Sequence, residues 1–249
     1  MPHIDSYVVD FGDRGFQSLR KLFLRDTDHQ IRNNACHERG WSSIYLLTVD
    51  YQSIGYIALK GFENLEDRDT LFEYYVTRPN VHWRLPILHS ILPKIDAQYI
   101  ECQTNDAAML EVMMEYGRDI RAHTYLFGKP KVVPKRDGFV FRKRQITDTT
   151  WRKSKDEDGA FVLLYDDIIV ADGGYLSHYN RPYVDLYMEV DPVHRGNRYA
   201  SELVKHLIDH TQANGWKPSA RCNMDNKASM KSLLHAGFQK VGYMLEGKI

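Results

Sequence analysis

Cysteine is scarce in this sequence: there are three, Cys36, Cys102 and Cys222, odd in number and far apart. They suggest no disulfide framework and fit a reducing cytoplasm. Net charge is missing as well, because 33 Lys and Arg balance 33 Asp and Glu. A nucleic-acid binder usually carries a basic domain or stripe, so no nucleic-acid partner is expected. No apolar run approaches the roughly 18 residues of a membrane span. MPHIDSYVVD lacks the basic start and apolar stretch of a signal peptide. Neither a membrane association nor export is expected. The 11 histidines show no close Cys/His spacing and no HExxH, so no metal is expected. What remains is an ordinary globular composition, 43% hydrophobic with a mean hydropathy of -0.49. Its 249 residues suffice for one large domain or two of ordinary size.

Hydrophobic periodicity orders the chain. Strands are expected over 5–10, 43–49, 54–59, 71–76, 99–103 and 123–127. Helices are expected over 16–38, 81–95, where Pro86 and Pro93 distort the run, and 107–116, stopped near Gly117. Residues 128–138, GKPKVVPKRDG, form the best linker candidate. Beyond it the order recurs. Strands fall at 139–142, 160–165 and 168–179, the last interrupted by a bulge at Gly173-Gly174. A strand at 183–190, a helix at 198–213, a strand at 219–222, a helix at 227–236 and a final strand at 239–245 complete it.

The recurrence has a residue-level counterpart. Setting Cys102 against Cys222 aligns Gly117 with Gly237 without a gap. Leu110, Met113 and Met114 then fall on Met230, Leu233 and Leu234. Both segments read strand, polar loop, amphipathic helix, glycine, which is an internal repeat. The copies differ after Val76 and Val190: TRPNVHWRLPILHS lacks the glycine that DPVHRGNRYASELV contains.

That second segment carries the chemistry. A strand ends, Pro192 turns the chain, and Arg195-Gly196 lead into a long helix. The first turn of a helix has unbonded N–H groups and the positive end of the dipole, which attract anions. Glycine permits close approach, and Arg195 and Arg198 add charge-assisted contacts to phosphate. On the residues alone the segment reads either as a pyrophosphate site or as a capped helix start. It resembles motif A of the GNAT superfamily, the Gcn5-related N-acetyltransferases, Arg/Gln-x-x-Gly-x-Gly/Ala. Arg195 stands first, Ala200 last, and Arg198 where the middle glycine is usual. Asn226, Ser229, Leu233 and Gly237-Phe238 resemble motif B.

The resemblance implies an α+β fold of α/β/α layers. Two tandem acyl-CoA N-acyltransferase (GNAT-like) domains are expected, each a mixed, mostly antiparallel sheet with a splayed parallel strand pair. Residues 1–133 would be a degenerate copy and 134–249 the domain carrying the CoA site. It implies acetyl-CoA as cosubstrate, with Met188, Val190, Arg195, Gly196, Asn197, Arg198, Tyr199, Ala200, Ser201, Asn226 and Ser229 around it. A small-molecule or peptide amine would attack the thioester directly. Asp185 or Glu189 would be the general base. Leu233 occupies the place where many members carry a tyrosine acid, leaving Tyr187, Tyr199, Tyr243 or solvent. Asn226 is expected to cap the helix after it, and Arg221 to face the acceptor groove or pair with a carboxylate. The acceptor loops are expected to be shortened between Arg142 and Ala160. The degenerate copy would either cover the acceptor groove of the other, standing in for a dimer partner in a monomer, or be purely structural. A catalytically inactive CoA sensor or scaffold is the alternative. An aminoacyl transferase fed by tRNA is disfavoured by the charge balance.

Overall fold

The structure, a computed structural model, describes residues 2–151 and 159–249. Its chain divides into two compact units. One runs to His123 and includes Tyr243–Ile249; the other is Thr124–Gly242. Among the described residues no helix is long and apolar enough to cross a membrane.

In the N-terminal unit β1 (Ile4–Val9), β2 (Ser42–Val49), β3 (Gln52–Lys60) and β4 (Thr70–Val76) pair antiparallel in chain order. β4 then meets β5 (Tyr99–Gln103) in parallel, but only at Thr70↔Tyr99 and Leu71↔Ile100. Beyond that point the strands part. α4 (Ala107–Tyr116) packs on one face, its first turn capped by Asp106, whose Oδ1 accepts from Met109 N at 3.2 Å.

The expected helix over 16–38 is broken. α1 (Arg14–Asp26) buries Phe16, Leu19 and Phe23 at helical spacing. Thr27 then adopts an extended backbone, and Asn33 is left-handed, with φ 50°, before the short α2 (Asn34–Glu38). Arg32 spans the gap by donating to the carbonyls of Leu24, Thr27 and His29. The 81–95 helix is likewise divided, into 3₁₀ turns at Arg78–Trp83 and Leu92–Lys94 around α3 (Arg84–Ile91). The two outlying prolines, Pro79 and Pro93, open those turns.

β6 (Arg118–Gly128) leads into the C-terminal unit. That unit's sheet runs β6, β11 (Lys217–Asn223), β10 (Tyr183–Val190), β9 (Ile168–Asn180), β8 (Phe161–Tyr165) and β7 (Phe139–Lys143). α5 (Tyr199–Ala213) and α6 (Lys227–His235) complete it. Leu203, Val204 and Leu207 of α5 pack with Val184, Leu186 and Ala220 of the sheet. No bulge sits at Gly173-Gly174, where β9 pairs regularly with Met188 and Tyr187. The irregularity lies at Val170, between Leu163 and Leu164 of the partner strand. The glycines serve close packing instead: a Cβ on Gly173 would meet Tyr187 O at 2.3 Å.

Each unit takes its last strand from the other half of the sequence. Residues 124–127 of β6 pair with β11, whereas residues 244–248 of β12 (Gln239–Lys248) pair with β5. The expected 133/134 boundary therefore lies inside the C-terminal unit. Residues 129–138 are bound there by Lys131 N to Gly237 O at 2.9 Å and Lys205 Nζ to Pro134 O at 2.8 Å.

Candidate functional site

In the C-terminal unit β10 and β11 run in parallel register for three residues, ending at Asp185↔Ser219. β11 then turns to β6 while β10 continues alongside β9 alone. Among the described residues β11 pairs with β10 no further than Asp185, and the two strands diverge beyond it. Buried backbone groups need partners, so such a gap suits an extended ligand with amides of its own.

At the end of β10 the chain passes a 3₁₀ turn at Pro192–His194, where Asp191 caps Val193 N at 3.1 Å, and enters α5. Gly196 has φ 88° and open space where a Cβ would stand. Arg198 is the residue before α5 and is left-handed, with φ 62° and ψ 23°. No side chain caps this helix among the described residues, and its first intrahelical bond is Glu202 N to Arg198 O at 3.2 Å. The amides of the first turn are therefore available to an anion. Arg198 holds by strain a conformation that glycine takes freely. Arg198→Ala should accordingly be less stable than Arg198→Gly by about 1 kcal/mol, read from urea midpoints of the two variants. Equal midpoints would show that the αL backbone costs nothing here.

The loop, the helix start and α6 enclose a cleft of about 670 Å³. Met188, Val190, Arg195, Gly196, Arg198, Tyr199, Ala200, Ser201, Asn226 and Ser229 all line it, as does Glu189. Asn197 does not; its Nδ2 donates to His194 O at 3.0 Å and stiffens the loop. Ala228, Lys231, Ser232 and His235 also line the cleft and were missed. They follow Asn226 on one face of α6, a periodicity that motif matching overlooks. Asn226 itself caps α6, accepting from Ser229 N at 3.0 Å, as Asp106 does in the aligned position of α4.

The two carboxylates expected as bases occupy different environments. Asp185 is 6% exposed and accepts from Asn180 Nδ2 at 3.0 Å, Ser219 Oγ at 3.2 Å and Arg221 Nη2 at 3.0 Å. With three donors on it, this carboxylate ties β9, β10 and β11 together at the point where the strands part. Glu189 has a 42% exposed side chain in the cleft wall, with Arg195 Nη2 at 3.6 Å. Leu233 is buried in the core, so no acid stands there. Tyr187 is exposed over Gly174, Tyr199 packs edge-on to Phe139, and Tyr243 belongs to the N-terminal unit. Burial pushes the Cys222 thiol up and that of Cys102 up to about 12, which suits packing rather than nucleophilic chemistry. Of the acceptor loops between Arg142 and Ala160, the part at 152–158 lies outside the described residues. Among the described residues no group of three metal-ligating side chains is assembled.

The corresponding region of the N-terminal unit is built differently. A cleft of about 280 Å³ lies among Tyr74–Val76, Arg78, Arg84 and the start of α4. Its strand gap is filled by the chain itself. Residues 29–32 are buried, and Gln103 grips Ile31 from both sides: Ile31 N donates to Oε1 at 3.2 Å and Nε2 donates to Ile31 O at 2.7 Å.

Two family models match the chain. One described as "Acetyltransferase (GNAT) domain" covers residues 17–129, and one described as "Acetyltransferase (GNAT) family" covers residues 120–238. No curated protein sequence matches. Among solved structures, a GNAT-family acetyltransferase from Colwellia psychrerythraea superposes with a TM-score of 0.69 at 13% identity, over 98% of this chain and 99% of that one. A tandem GNAT protein from the clavulanic acid biosynthesis pathway gives 0.56 at 11% identity, over 99% and 98%. A GCN5-related N-acetyltransferase from Sphaerobacter thermophilus gives 0.54 at 12%, over 98% and 95%. At these identities the likeness shows the fold.

Proposed function

Given that the chain belongs to the GNAT acetyltransferase family and carries two of its domains in tandem, we propose that its C-terminal unit moves an acyl group, acetyl in the simplest case, from acyl-CoA to an amine. One coincidence carries this reading: the parted strands and the uncapped helix start open into the same cleft, lined by Met188, Val190, Arg195 and Arg198. A long ligand with a diphosphate at one end and amides along its arm fits such a site. The first-turn amides of α5 and the two arginines would hold the diphosphate. The β11-facing edge of β10 beyond Asp185 would hold the arm.

When bound, the cosubstrate supplies an acyl carbon activated as a thioester. Glu189, exposed in the cleft wall, takes a proton from the incoming ammonium. The amine nitrogen then forms the C–N bond, the C–S bond breaks, the nitrogen gives up its second surplus proton to solvent, and the sulfur leaves as a thiolate that takes a proton from solvent. Leu233 supplies none, and a thiolate is a good enough leaving group to need no fixed acid.

CoA-thiol release from acetyl-CoA across amino acids, polyamines, aminoglycosides and peptides tests the reaction. Glu189→Gln should lower kcat on the order of 100-fold while acetyl-CoA still binds. An unchanged kcat would remove Glu189 as base. A second reading, a CoA sensor without turnover, is favoured by the buried Leu233 and the filled gap of the N-terminal unit. Acetyl-CoA binding with no thiol release on any amine would establish it.

A further inference from the structure

We propose that Arg221 recognises a carboxylate on the acceptor, so that the amine acetylated by the C-terminal unit is amino-acid-like. The inference rests on the transferase reading above and names its substrate class. Along β11 the side chains of Ala220 and Cys222 join the core beneath α5. Alternation puts Arg221 on the opposite face. It lies two residues beyond Ser219, the last β11 residue paired with β10, and therefore at the lip of the strand gap. An acceptor approaching from the face opposite α5 meets this residue.

The guanidinium is held in advance. Asp185 takes Nη2 at 3.0 Å, and Asp185 is itself fixed by Asn180 of β9 and Ser219 of β11, whose hydroxyl also lies 3.0 Å from Val184 O. A carboxylate this buried needs a counter-charge, and Arg221 supplies it. Neutralisation alone does not account for the arrangement, because the Arg221 side chain remains 42% exposed. A guanidinium has five donors in a planar fork, and a carboxylate matches that fork with two parallel bonds. Holding one end of the fork on a rigid, buried anchor removes much of the ordering cost of binding with the other.

The other side of the gap carries the opposite sign. Glu189 shares its face of β10 with Asp185 and Tyr187, and its side chain is 42% exposed in the cleft wall beside Arg195. A base on one strand and a cation on the other suit an acceptor bearing both an amine and a carboxylate. The same cation repels a polyamine, so the site discriminates against that class as well.

Matched acceptors test this on the full chain: amino acids, their carboxamides and their decarboxylated amines, compared by kcat/KM in the thiol-release assay with saturating acetyl-CoA. The carboxylate member should be preferred by about tenfold or more. Arg221→Lys keeps a charge on Asp185 but loses the fork, and should shrink that ratio; Arg221→Gln should abolish it. A purely structural Arg221 would lower all members by one common factor and leave the ratio intact, which would overturn the proposal. So would a wild-type preference for carboxamides or polyamines. If Arg221→Gln fails to fold, seen as lost acetyl-CoA binding, the lysine variant answers alone. If wild type releases no thiol with any amine, the transferase reading falls first. Calorimetry of N-acetylglycine against N-acetylglycinamide on the CoA-saturated protein then decides. Tighter binding of the carboxylate, lost in Arg221→Lys, upholds the site, and equal binding ends it.

Discussion

Arg195→Glu will weaken acetyl-CoA binding on the order of 100-fold, whereas Arg84→Glu in the N-terminal unit will leave it within about twofold. Arg195 is the cation at the loop that leads into α5, and reversal removes an attraction while placing a negative charge where the diphosphate would lie. The new carboxylate would also face Glu189, now its partner at 3.6 Å, and compound the loss. Arg84 begins α3 behind a 3₁₀ turn, beside a strand gap already occupied by residues 29–32. Calorimetric titration of the two variants compares them directly. Equal losses would mean that the N-terminal unit holds the ligand.

The second large effect concerns stability. Glu73 of β4 is 2% exposed and is surrounded by Arg20 at 2.5 Å, Tyr56 Oη at 2.7 Å and His37 Nε2 at 3.1 Å; Ser42 Oγ is 2.9 Å from the other His37 nitrogen. Arg20 also donates to Arg32 O and to Asn34 Oδ1, tying α1 to the segment that fills the gap. Burial alone would raise the Glu73 carboxyl, but the Arg20 charge and then His37 outweigh it and hold it at about 2. Glu73→Ala should cost about 3–5 kcal/mol, because Arg20 is left buried without its counter-charge. Hydrogen exchange should show protection lost first in β2–β4. Retained protection there would mean that water or a rearrangement neutralises Arg20. The pH dependence has a defined sign. A carboxyl with a depressed folded pKa stabilises fully above its unfolded value, and that contribution fades as pH falls from about 4.5 towards 2. In Glu73→Ala this part of the acid sensitivity should disappear.

The sequence was most informative where chemistry is local. A strand end, a proline, a glycine and the first turn of a helix are contiguous from Met188 to Ser201, so most of one wall of the cleft is legible along the chain. The repeat was legible for the same reason, since strand, cap and helix follow one another in both copies. What escaped depends on partners distant in sequence. The pattern of β10 places Asp185 on one face with Glu189, but its partners Asn180, Ser219 and Arg221 come from two other strands. The helical period of Phe16–Phe23 extrapolates smoothly through residues 27–33. Only the tie between Ile31 and Gln103, far along the chain, draws that stretch into the gap. Strand order was hidden too, because a period-2 pattern specifies a buried face and not which neighbour lies beside it.

That strand order bears on biosynthesis. β5 acquires its antiparallel neighbour from residues 244–248, which are translated after the whole of the C-terminal unit. A nascent chain that has emerged only as far as Gly128 therefore exposes the edge of β5, an open template for wrong pairing. The N-terminal unit, begun before the C-terminal one, is finished after it, and cutting the gene at the proline-rich stretch would yield two incomplete sheets rather than two proteins.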